Sequence, residues 1–159
     1  DDYVEVLDNS SLNVKSITIY MWARQTTRRN VPTYMLSKGG WGSYHVISED
    51  TWVANQVGFT ISVGGIDYRL WTSKALQLNT WAHLTFTYDN ITGLQKTYFN
   101  GVLDTQTSRT PGDIDTNTGL LRIGGSTSVY NFNGLIDEVR VYNRALSDQE
   151  IKALYDATK

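Results

Sequence analysis

Two pairs of adjacent acids, Asp137-Glu138 and Glu49-Asp50, are the residues in this chain best suited to acid chemistry. Glycoside hydrolysis needs two carboxyl groups facing each other across a bond, about 5 Å apart in retaining enzymes. Neighbours on a strand point to opposite faces, so Asp137 and Glu138 cannot form such a pair, and Glu49-Asp50 falls in a loop. A Tyr/His/Arg set for β-elimination could be drawn only from Tyr44, His45 and Arg69, which no motif ties together. Nucleophile-elbow and phosphate-loop motifs are absent. The expectation is a non-enzyme. Asp137 still needs an explanation. With period two it shares a face with Leu135, Val139 and Val141, and an unpaired buried charge is costly. It therefore bonds backbone amides, pairs with Arg140 or Arg144, or holds a cation.

The aromatic residues carry the stronger binding signal. Five Trp and ten Tyr stand in 159 residues. If Ile17, Ile19 and Met21 face a core, Tyr20, Trp22 and Arg24 face outward. The same alternation turns Arg69 and Trp71 outward from Tyr68 and Leu70, and His83 outward from Leu84 and Phe86. Were these strands neighbours, one sheet face would carry all six side chains, an aromatic surface that a monomer rarely exposes without use. Sugars stack their CH faces on aromatic rings, while Arg, His and Asn bond the hydroxyls. Trp41 and Trp52 lie in the polar, glycine-rich contexts KGGWGS and SEDTWVANQ, on either side of Tyr44-His45. They are the candidate rim of a ligand site. The ligand-binding set is Trp41, Trp52, Trp71, Tyr20, Arg24 and Arg69, with Trp22 and Trp81 assigned to packing and Trp71 open to either role.

These side chains need a scaffold. Residues 17–24, 57–63 and 82–88 alternate apolar and polar, and are separated by Gly, Asn, Asp and Ser clusters, as in an antiparallel sandwich. Thr97 to Phe99 runs into Asn100-Gly101, a type I′ hairpin signal. One helix is expected, at the end. Ser147 and Glu150 form a capping box, Leu146 and Ile151 a hydrophobic staple, and Ile151, Leu154 and Tyr155 a docking stripe. The fold expected is all-β: a two-sheet antiparallel β-sandwich with one short C-terminal helix, read as a single domain over 1–159.

Composition narrows the partners. Formal net charge is -2 and no basic block occurs, which argues against nucleic acid. No apolar run is long enough for membrane insertion. The lack of cysteine excludes a disulfide scaffold and thiol catalysis. The chain opens directly in a strand, Asp2-Tyr3-Val4-Glu5-Val6, and is read as a module excised from a larger protein.

Three segments together resemble a known family. DDYVEVLDNSSLNVKSITIYMWAR, LNTWAHLTFTYD with KTYFNGVL, and RIGGS with FNGLIDEVRVYNRALSDQEIKALY are similar, in order, to the laminin-G-like, concanavalin A-like jelly-roll domains. Residues 25 to 75 match poorly. The resemblance implies a jelly roll and a secreted or cell-surface binding module: a carbohydrate-binding, lectin-like domain that targets a larger extracellular protein to a polysaccharide or glycan. The alternative is a protein-adhesion or spacer module that packs on neighbouring domains. It also implies a structural calcium, for which Asp2 and Asp137 are the candidate ligands.

Overall fold

The computed structural model describes residues 2–40, 42–49, 55–125 and 130–159. Its strands are β1 (Val4–Val6), β2 (Ile17–Gln25), β3 (Thr33–Lys38), β4 (Tyr44–Glu49), β5 (Gln56–Val63), β6 (Ile66–Ala75), β7 (Ala82–Tyr88), β8 (Leu94–Phe99), β9 (Val102–Ser108), β10 (Leu121–Ile123) and β11 (Gly134–Tyr142). They form a six-stranded sheet, β1-β10-β3-β4-β5-β6, and a five-stranded sheet, β11-β2-β7-β8-β9. Every strand pairing is antiparallel, as expected for a jelly roll.

Alternation sets the core. Ile17, Ile19, Met21, Leu84, Phe86 and Tyr88 of the five-stranded sheet are fully buried against Val46, Val57, Phe59 and Ile61 of the other. Phe59 and Phe86 meet across the sheets at 5.5 Å between ring centroids. Burying one such side chain contributes roughly 2 kcal/mol. The expected hairpin joins β8 to β9, with Asn100 and Gly101 at φ 53° and 74°. Gly64 and Gly65, at 60° and 78°, join β5 to β6 in the same way.

Helix α1 (Asp148–Thr158) begins on the expected capping box, with the Ser147 side chain accepting from the Glu150 N–H. Leu146 and Ile151 are buried with Tyr98 in a small second core. Tyr98 donates to Asp148 at 2.6 Å, and Tyr155 lies against Trp22 with ring centroids 5.9 Å apart. The helix therefore covers the outer face of the five-stranded sheet.

Strand β11 departs from strict alternation. A β-bulge between Asp137 and Arg140 puts Glu138 at φ 53°. The extra residue reverses the facing pattern. Ile136, Val139 and Val141 pack on the core, while Leu135 and Asp137 are exposed. Asp137 thus lies on the opposite side from Val139 and Val141, contrary to the period-two expectation. Its carboxylate accepts the Glu138 N–H at 2.8 Å.

Candidate functional site

The aromatic face expected from the sequence is divided between the two sheets. β2 and β7 are neighbours in one, whereas β6 is the far edge of the other. Tyr20 is fully buried beneath α1, so it cannot act as a ligand platform. Its hydroxyl hydrogen-bonds Thr158 Oγ1 at 2.5 Å. Trp22 donates to the same oxygen at 3.0 Å. His83 sits beneath these rings, 4.3 Å from Tyr20 and 5.4 Å from Trp22 between centroids. Arg24 donates to the Asn79 carbonyl at 3.1 Å. It therefore stays with the five-stranded sheet and does not converge with Arg69.

Arg69 and Trp71 keep their outward positions, on the six-stranded sheet. Register places Arg122, Ser37, His45, Thr60 and Arg69 in one row across five strands. The adjacent row holds Tyr34, Ile47, Gly58 and Trp71. Gly58 is what allows the indole to lie close to the sheet. A Cβ there would stand 2.6 Å from Trp71 Cζ3. Packing of an aromatic ring over a strand glycine compensates for the missing side chain.

The polar row is preorganised. Arg69 Nε donates to Thr60 Oγ1 at 2.7 Å, and Nη2 lies 3.4 Å from His45 Nε2. The guanidinium carbon sits 5.5 Å from the Trp71 ring. Burial, and then the charge of Arg69, push the His45 imidazole down to about 4. It is therefore neutral at pH 7, with Nε2 able to accept from Arg69. Ser62 donates to Asp67 beside this row. The Tyr34 ring meets Tyr130 edge-on at 6.3 Å, and burial raises the pKa of the Tyr34 hydroxyl. This face offers an indole, a guanidinium, phenols and a carboxylate, the mixture of flat apolar surface and a few polar groups that recognises small polar ligands.

Trp41 and Trp52 lie outside the described residues. In the sequence they fall between β3 and β4 and between β4 and β5, the strands that build this face. Tyr34, Gly58, Thr60 and Tyr130 were not singled out by the sequence. The usable signal was the register, since Gly58 and Trp71 become partners only once β5 pairs with β6.

The Gly58-Trp71 pair makes a test of the face. Gly58→Ala is expected to displace the indole by steric contact and weaken ligand binding about as much as Trp71→Ala, with folding retained. Ligand titration beside a melting curve checks this.

Asp2 precedes edge strand β1 of the six-stranded sheet, and Asp137 occupies the bulge of edge strand β11 of the other. They line separate depressions. Calcium takes six to eight oxygens, and among the described residues no group of three or more His, Cys, Asp or Glu side chains could hold a metal ion.

An oxygen cage of another kind is present. The Lys38 ammonium is fully buried, 2.8 Å from Asp8 Oδ1, 2.8 Å from the Asn117 carbonyl, 3.2 Å from Asn117 Oδ1 and 2.7 Å from the Gly119 carbonyl. A lysine cation thus joins the N-terminal segment, β3 and the loop before β10.

Family comparison agrees with this architecture. A model of the concanavalin A-like lectin/glucanases superfamily matches residues 1–152, and the chain belongs to that family. None of the curated proteins matches it. Among solved structures, the carbohydrate-binding module (CBM40) of a Ruminococcus gnavus IT-sialidase, bound to α2,3 sialyllactose, is 23% identical. It superposes with TM-score 0.74 over 89% of this chain and 83% of that one. A heptameric SAP-like pentraxin from Limulus polyphemus gives 0.71 at 12% identity, covering 91% and 71%. The binding domain of Paraclostridial Mosquitocidal Protein 1 gives 0.77 at 18% identity, covering 98% of this chain but 41% of that one. At these identities the likeness is one of fold. It is a lectin-like fold shared with binding domains. No helix among the described residues is long and apolar enough to cross a membrane.

Proposed function

We propose that this chain is a non-catalytic carbohydrate-binding module whose ligand face is the outer side of the six-stranded sheet. The observation that carries the reading is the Trp71 indole lying over Gly58 beside the Arg69-His45 pair. In this reading a sugar ring stacks on Trp71, and Arg69 bonds its hydroxyls or an acidic substituent. Trp41 and Trp52, which lie outside the described residues, are the rim candidates that the sequence supplies. The module acts outside the cell, tethering a larger protein to a polysaccharide or glycan.

A glycan and polysaccharide array, run in calcium and in EDTA, tests this. Binding to one glycan class is expected. Trp71→Ala and Arg69→Ala should each weaken it roughly tenfold or more, with melting temperature nearly unchanged. A blank array with folded protein would overturn the reading in favour of protein adhesion or spacing.

A further inference from the structure

The exposed indole on the opposite sheet has a different setting. Trp81 stands just before β7 with 39% of its surface exposed, although the sequence assigned it to packing. It separates two depressions. One, of about 290 Å³, is lined by Trp22, Asp137, Glu138, Thr158 and Lys159. The other, of about 380 Å³, includes Lys74, Gln77, Thr80, Phe99 and Asn100. The Trp81 ring is therefore a ridge with a partly apolar hollow on each side.

The bulge in β11 supplies the polar side of this ridge. It turns Asp137 outward as the cross-strand partner of Trp22, with Glu138 in the left-handed region. A non-glycine residue held there stores strain, and such outliers cluster at ligand sites. Glu138 is paired with Arg140 at 2.5 Å. One oxygen of Asp137 takes the Glu138 N–H, which leaves a carboxylate oxygen in the first hollow for a hydroxyl. Across the ridge, Asn100 Oδ1 accepts the His83 N–H at 2.9 Å, so its amide N–H groups are available as donors. Acceptor, flat ring and donor follow one another along the surface.

We propose that this ridge is a second oligosaccharide site. A neutral pyranose stacks on Trp81, its neighbours along the chain occupy the two hollows, and Asp137 and Asn100 bond hydroxyls on either side. The choice of a sugar rests on the binding-module reading above, but the site shares no residue with the Trp71 face. Two separate sites would let one module bridge two strands of polysaccharide or bind one strand with avidity.

The experiment is a titration of the 15N-labelled wild-type chain with neutral hexasaccharides: β-1,4-glucan, β-1,4-xylan, β-1,4-mannan and α-1,4-glucan. The five tryptophan indole N–H signals are followed. The expected result is a saturable shift of the Trp81 signal with one probe. Trp81→Ala should abolish binding at this site and Asp137→Asn weaken it several-fold, with the Trp71 face unaffected. If the Trp81 signal stays still up to about 10 mM of every probe, weaker than any useful affinity, the second site is overturned. The Trp71 signal is read in the same titration. Its movement alone keeps the first reading and removes the second. Movement of Trp81 alone supports the second site and movement of neither removes it, while the first reading, which admits an acidic ligand, is decided by the array.

Discussion

Replacing Lys38 with methionine is expected to destabilise the fold by about 3 kcal/mol, the lower end for breaking a buried ion pair. Methionine keeps most of the stem's volume, so the loss isolates the charge. The ammonium is fully buried, with four oxygens around its three N–H groups: a carboxylate, two carbonyls and, at the longest distance, an amide oxygen. Without it, the Asn117 and Gly119 carbonyls lose a charged donor in a dry site. Asp8 is 28% exposed and recovers some hydration, which holds the cost below the extreme values. For a chain of this size the change corresponds to a fall of about 10 °C in Tm. Lys38→Arg should not rescue, because a planar fork cannot replace a compact ammonium among oxygens on several sides. Lys38→Ala leaves room for a small amine, and propylammonium in the buffer should recover part of the lost Tm. Thermal melts of the three variants decide the matter. A methionine variant as stable as the parent would show that the cage contributes nothing net.

The five-stranded sheet and its helix were legible because their residues face two environments. β2 and β7 present apolar residues to the core and a mixed set to the helix, so alternation survives in the sequence. The Ser147-Glu150 box and the Asn100-Gly101 turn are local signals that tertiary packing did not overrule. β3 and β4 were not legible in this way. Their apolar residues are consecutive rather than alternate, Tyr34-Met35-Leu36 and Val46-Ile47, and a register shift interrupts β3, so no period of two marks them as strands. They build the candidate ligand face, which therefore emerged only with the strand pairing. The sequence placed Arg69 and Trp71 outward correctly but joined them to Tyr20, Trp22 and Arg24 across what proved to be two sheets. The Asp137 expectation failed at one residue. A bulge inserts a position without any glycine to announce it, and every later side chain changes face.

The largest pH effect is expected at the histidines. His83 is fully buried beneath α1, and neither ring nitrogen has a hydrogen-bond partner. Burial pushes its pKa from 6.5 down to about 4, and His45 is likewise at about 4. The sign follows from linkage. In the unfolded chain each ring takes up a proton near pH 6.5, whereas the folded protein resists until about pH 4. Stability is thus fully present above pH 6.5. It falls as the pH drops through that window, and the loss levels off below about pH 4. Each histidine contributes about 3 kcal/mol to the loss by the end of the window, given 1.36 kcal/mol for each pKa unit. His83→Leu should flatten the profile between pH 6.5 and 4. At pH 7 it should be close to neutral, because it exchanges an unpaired polar ring for an apolar side chain. Denaturant midpoints measured across pH 4 to 7 for the parent and His83→Leu check this. Parallel curves for the two proteins would show that His83 is not the group being titrated. If the curves differ in slope by about one proton near pH 5, the aromatic pocket of Tyr20, Trp22 and Tyr155 is holding the imidazole neutral, and acid loosens the helix from the sheet.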